Sequence, residues 1–202
     1  MRERFKFKRA LDAACYLLKL NGGGKVGHGE MLRDVHAALM YLADREYLRQ
    51  YGETITGDYP VGYRQGPMLS SRFRPPDGYS DIWLKHIAFC GASCGTFGTW
   101  ILINETDYGD LCPASCERLE HIHKTYSGYS PDELYAMMRK FPEYNRIIGD
   151  DPDAYFKENG WSPVNLRWID ALRDIPQMVF AYIENIEMDE ATEKLFGDKE
   201  RE

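Results

Sequence analysis

A single, predominantly helical α+β domain is the fold this sequence predicts, and three observations carry that reading. Apolar residues recur at helical spacing in several segments. Two runs rich in β-branched and aromatic residues, 82–89 and 97–103, flank a Gly/Ser/Cys-rich stretch. Ser130-Pro131-Asp132-Glu133 has the grammar of a helix start, with Ser as cap, Pro in the first turn and Glu three residues after the Ser. At 202 residues with 44% apolar and 28% charged side chains, the chain is long enough to bury a core of ordinary composition.

Taken in order, Leu11, Ala14, Cys15 and Leu18 form a helical stripe that Asn21-Gly22-Gly23-Gly24 stops. After a flexible connection, Leu32, Val35, Leu39 and Leu42 line a longer helix ending at Tyr51-Gly52. Two such helices should pack as a pair. Thr54 to Asp58 reads as an extended piece and turn, Tyr59 to Tyr63 as extended, and Gly66-Pro67 as a break. The runs around 82–103 are expected to pair as an antiparallel hairpin, the main sheet. Helices are expected over about 113–126 and from Ser130 to about Phe141, with a loop over 148–160. Ser162-Pro163 should open a helix through Leu172, followed beyond Pro176 by one over 178–186 and a short last one over 190–196. Residues 1–145 then form the main domain, and 146–202 a helical extension packing on it.

Charge excludes some partners. A net charge of −7 argues against sequence-independent binding to a phosphate backbone, so no direct contact with nucleic acid is expected. The start is basic (Arg2, Arg4, Lys6, Lys8, Arg9), whereas 187–202 is acidic and would suit a basic partner. No run approaches the length of a membrane span, and Asp12 and Lys19 interrupt the one segment that resembles a leader. Five cysteines, an odd number, fit a reducing compartment. A cytoplasmic protein is the expectation. Fourteen tyrosines favour a contact surface or a tyrosine-rimmed core.

Catalytic chemistry finds little purchase. There is no nucleophile elbow, no Walker spacing around Gly22-Gly23-Gly24-Lys25, and no pair of histidines one helical turn apart. The metal candidate is Cys90-x3-Cys94 with Cys112-x3-Cys116, which could close a tetrahedral zinc site. Its three-residue spacers fit a zinc knuckle poorly, and Cys112 and Cys116 read equally well as a helix cap and a small inward hydrophobe. No cofactor is expected. The polar and aromatic residues concentrate instead in 39–67: Asp44 and Arg45 on the helix, then Tyr51, Asp58, Tyr59, Tyr63, Arg64 and Gln65. A binding surface suits that set better than a catalytic one.

The same block carries a resemblance. Tyr41-Leu42-Ala43-Asp44-Arg45-Glu46, Tyr51-Gly52, Ile55-Thr56-Gly57-Asp58 and Gly66-Pro67-Met68-Leu69-Ser70 are similar to the signature of the SocA-like, phage-associated Panacea antitoxin domain. The chain departs from that pattern with Ala38-Leu39-Met40 before the helix Tyr and with Met68 after Gly-Pro. The resemblance implies a non-enzymatic antitoxin that neutralises a co-encoded protein toxin by direct binding, in some members as an adaptor that delivers the toxin to a protease. By position it assigns Tyr51, Gly52, Thr56, Gly57, Asp58, Gly66, Pro67 and Ser70 to the shared scaffold. Asp44, Arg45, Tyr59, Tyr63, Arg64 and Gln65 remain the expected partner contacts. The alternatives are a phage-encoded protein binding a host factor, and a zinc-dependent small enzyme or regulator using Cys90, Cys94, Cys112 and Cys116.

Overall fold

A computed structural model describes residues 5–23, 29–71, 80–91 and 98–196, with side chains through Met188 at the C-terminal end. The fold is α+β and mainly helical, as the periodicity predicts. Helix α1 (Phe7–Asn21) and helix α2 (Arg33–Tyr51) form the centre, and α2 is the most enclosed element. Its apolar stripe includes Val35, Leu39, Leu42 and Leu48, all buried, and eight further α2 residues, Asp44 among them, are buried as well. A helix buried nearly all round needs neighbours on every side.

Those neighbours come from both halves of the chain. Helix α4 (Pro113–Tyr126) packs against α1 and α2; helix α5 (Pro131–Met138) and helix α8 (Pro176–Phe196) pack against α2. One apolar core runs from Phe7 through Leu39, Leu119 and Leu134 to Ile186. A second, smaller core joins Tyr144, Ile148, Phe156 and Leu166.

Two small antiparallel sheets flank the helices. In one, β1 (Glu30–Leu32) and β4 (Ile87–Gly91) lie either side of β5 (Gly98–Leu102). Ile87 faces Leu102 and Phe89 faces Trp100 across the β4–β5 pair. The expected hairpin is therefore real but shorter at its front. Residues 80–86 form helix α3, where Asp81 lies in the first turn and Lys85 and His86 in the last. That charge order complements the helix dipole and wins over the β-leaning composition. In the second sheet, β2 (Pro60–Gly62) pairs with β3 (Pro67–Leu69) on one side and with β6 (Val164–Asn165) on the other. Residues 164–165 thus add a strand to the β2–β3 hairpin, with Val61 opposite Asn165.

Proline opens five of the described helices, α8 at Pro176 among them. Cys112-Pro113, Ser130-Pro131, Phe141-Pro142 and Asp151-Pro152 each place Pro just inside the helix. Ser130 and Glu133 close a complete capping box. Asp151 accepts from the Ala154 amide and starts helix α7 (Pro152–Asn159) in the segment expected to be a loop. Helix α6 (Pro142–Ile148) likewise replaces an expected helix end. Ser162-Pro163 does not open a helix: the chain runs extended into β6, then makes a 3-10 turn over Trp168–Leu172. Pairing with β2 captures residues that periodicity alone would make helical. Beyond Pro176 a single helix, α8, covers the two short ones expected.

Candidate functional site

The block 39–70 is built around three buried carboxylates. Tyr41 and Arg45 lie one turn apart on α2, so their side chains share a face. Both reach Oε1 of Glu143, the Tyr41 hydroxyl at 2.6 Å and the Arg45 Nε at 2.6 Å. Glu143 is fully buried and its Oε2 has no hydrogen-bond partner among the described residues. The Arg45 guanidinium is mostly enclosed and stacks 3.9 Å over the Phe141 ring. Burial, with the Glu143 charge adding to it, holds the Tyr41 hydroxyl well above its usual range.

Asp44 points the other way. Its Oδ1 accepts the Ile55 and Thr56 amides at 3.0 Å each, and its Oδ2 accepts the Thr56 hydroxyl. The carboxylate thereby satisfies a turn that has no sheet partner of its own, and losing it would orphan two buried amides. Gly57 continues that turn at φ +68°, and Gly52 ends α2 at φ +74° with its amide on the Leu48 carbonyl at 2.8 Å. A Cβ at Gly52 would also stand 2.6 Å from the Ala181 Cβ, so this glycine lets α8 approach.

Asp58 fastens the base of the β2–β3 hairpin. Its Oδ1 accepts the Tyr59 amide at 2.8 Å and the Ser70 hydroxyl, and its Oδ2 accepts the Ser71 amide and hydroxyl at 2.9 and 2.6 Å. The Ser70 amide bonds the Tyr59 carbonyl at 3.0 Å beside it. From the 3-10 turn, the Trp168 indole donates to the Asp58 carbonyl at 2.7 Å and its ring stacks on Tyr41 at 5.4 Å. Gly66 and Pro67 are buried in the hairpin, while Tyr51 is partly exposed with its ring 4.5 Å from Tyr47.

These positions divide the expected contact residues. Asp44 is fully buried with both oxygens occupied, and Arg45 is spent on Glu143 and Phe141, so neither offers a surface to a partner in this conformation. Tyr59 and Tyr63 are half-buried; Arg64 and Gln65 are exposed at the hairpin turn. Arg64 pairs with Asp153 and lies 5.7 Å over the ring of Trp161, which is 65% exposed and stacks on Phe156. Arg139 donates to the Gln65 carbonyl at 3.2 Å and helps wall a polar cleft between the hairpin turn and α7. Trp161, Arg139 and Glu143 escaped the sequence reading. An exposed-looking Glu in a first helical turn gives no sign that it will be buried, but a Trp beside Gly160 in a polar stretch is an odd core residue and could have been noticed.

The cysteines do not converge. Cys112 sits at the start of α4, 3.3 Å from the Tyr47 hydroxyl and 3.2 Å from that of Ser115. Partial burial raises its thiol pKa, but these two hydroxyls and the helix amides outweigh that and lower it overall. Cys116 follows one turn later, half-buried, Cys90 lies on the β4 strand, and Cys94 falls outside the described residues. Among the described residues no three His, Cys, Asp or Glu side chains lie close enough to hold a metal ion, and no helix is long and apolar enough to cross a membrane.

No curated protein and no solved structure matches the chain. A family model does match, over residues 39–144, described as "Antitoxin SocA-like, Panacea domain". The match begins on the buried half of α2 and ends one residue past Glu143, so it encloses all three carboxylates. With more than half its length inside that match, the chain belongs to the SocA-like Panacea antitoxin family.

Proposed function

We propose that this protein is an antitoxin that binds a protein toxin encoded nearby and neutralises it by direct contact, without catalysing a reaction. The family match over 39–144 carries this reading. What supports the binding side of it is the division just described. The family block spends Asp44, Arg45 and Asp58 on holding itself together, while Tyr59, Tyr63, Arg64 and Gln65 reach its surface beside an exposed Trp161. Tryptophan, tyrosine and arginine are the side chains that most often dominate binding energy at protein interfaces. Within this reading Asp44 and Arg45 shape the contact surface from beneath, and the hairpin turn with Trp161 meets the toxin.

The finer reading is that the complex also hands its toxin to a protease. In that case the toxin's half-life in cells shortens when the antitoxin is present, whereas simple sequestration leaves it unchanged or longer. The test of the main reading is co-expression with each neighbouring gene product. One of them arrests growth alone, is tolerated with this protein, and co-purifies with it. If no neighbour is toxic, or the toxic one does not co-purify, the reading fails.

A further inference from the structure

Asp170 sits in the 3-10 turn, 2% exposed, and draws three arginines onto one carboxylate. Arg146 Nη1 donates to its Oδ1 at 2.6 Å and Arg173 Nε at 3.1 Å; Arg167 donates to both oxygens at 3.1 and 3.3 Å. One guanidinium would neutralise the charge. Three leave two positive charges in excess, on a chain whose net charge is −7. Their side chains remain 46%, 63% and 55% exposed. Each guanidinium carries five donors in a planar fork, and Asp170 takes four bonds from all three, so most of these donors are not taken up by the carboxylate.

Arg167 also lines a groove of about 500 Å³ between the β2–β6 strands, the 3-10 turn and α8. Tyr59, Leu166, Trp168, Tyr182 and Ile186 supply apolar and aromatic surface to a lining that Asp58, Asn165 and Arg167 make partly polar. Its volume lies in the range that accepts a large side chain or a small ligand. The cationic cluster and the groove therefore meet at one residue, and both lie mainly beyond the segment matched by the family model.

We propose that the groove and its arginines dock an extended acidic segment of a protein partner. A large apolar side chain enters the groove, and flanking carboxylates bond the forks of Arg146, Arg167 and Arg173. Arginine forks match carboxylates two bonds at a time. A phosphate backbone fits less well: three arginines on an acidic chain make a short cationic track, and the aliphatic and aromatic part of the groove adds nothing to phosphate recognition. That the partner is a toxin rests on the antitoxin reading; the surface itself does not.

The test uses the full-length protein and a short fluorescein-labelled peptide with one Leu flanked on each side by Glu residues. Fluorescence anisotropy should show saturable binding that weakens as salt rises. The double variant Arg167→Gln/Arg173→Gln keeps the Arg146–Asp170 pair, so the buried carboxylate stays compensated and the thermal melt should stay close to that of the parent. Its affinity for the peptide should fall about tenfold or more, whereas Lys124→Gln, an exposed change on α4, should not alter it. The proposal is overturned if the parent protein fails to bind at millimolar peptide, if the double variant binds equally well, or if a duplex oligonucleotide binds the arginines in preference to the peptide. Different readouts separate the two claims. Peptide binding that is equal in parent and double variant sinks the docking surface and leaves the antitoxin reading standing. A neighbourhood without any toxic product sinks that reading, and the peptide result still decides the surface.

Discussion

Two kinds of buried carboxylate hold this molecule together, and they are compensated differently. Within the family block, the bonds onto Asp44 and Asp58 come from backbone amides and from Thr and Ser hydroxyls of nearby turns. Beyond that block, Asp170 is surrounded by arginines that keep about half their surface in solvent. The first arrangement fixes loop shape and leaves nothing facing outward. The second fixes a turn and at the same time displays charge. The exposure of the donors separates the two: amides, hydroxyls and the enclosed Arg45 on Glu143 hold the scaffold, whereas the arginines on Asp170 stay in solvent and form the proposed contact surface.

The largest effect expected from breaking that contrast is at Asp44. Asp44→Ala orphans the Ile55 and Thr56 amides, and urea denaturation should report a loss of about 3–5 kcal/mol. Arg45→Met leaves the Glu143 carboxylate buried without its cation, with a cost of roughly 3 kcal/mol or more by the same measurement. If either change proves as mild as a surface substitution, the block is not the scaffold described.

Acid should act on the core before it acts on Asp170. His36 is fully buried, 3.1 Å from the Ala14 carbonyl, and burial lowers its pKa to about 4. The unfolded chain protonates this residue below its ordinary 6.5, so stability is complete above that pH and declines as pH falls toward 4. The decline amounts to roughly 3 kcal/mol if His36 is the only group titrating in that window. His36→Leu should flatten the slope in a pH series of thermal melts. Asp170 behaves oppositely. Despite burial, its arginine bonds hold its pKa below the usual carboxylate range, so its contribution is present above pH 3.8 and is lost only in stronger acid.

The smallest stability effect belongs to the arginine pair. Arg167→Gln/Arg173→Gln removes exposed partners and should change stability by less than about 1 kcal/mol, while impairing the binding described above. A large stability loss with intact binding would reverse the assignment.

Much of this was legible in the sequence where the signals are local. The Ser130 capping box, the α4 start at Pro113 and the stripe of α2 all depend on residues a turn or two apart. The motif that carries the family resemblance was readable for the same reason. What was illegible depends on long-range pairing. The segment 164–165 becomes a strand because Val61 and Gly62 lie opposite it, about a hundred residues earlier in the chain. Glu143 is buried because Tyr41 and Arg45 come from a distant helix to meet it. Asp44 and Arg45 read as partner contacts in the sequence for the same reason, since their own partners in 54–56 and at 143 are fixed only by the fold. The arginine cluster did leave a trace: Arg167 and Arg173 stand three residues before and after Asp170, the spacing of one helical turn.

Growth and pull-down from one co-expression strain decide whether this protein neutralises a protein toxin by binding it. A neighbouring gene product should arrest growth alone, growth should return with this protein, and both should elute as one complex. Growth that stays arrested, or rescue without a complex, would contradict it.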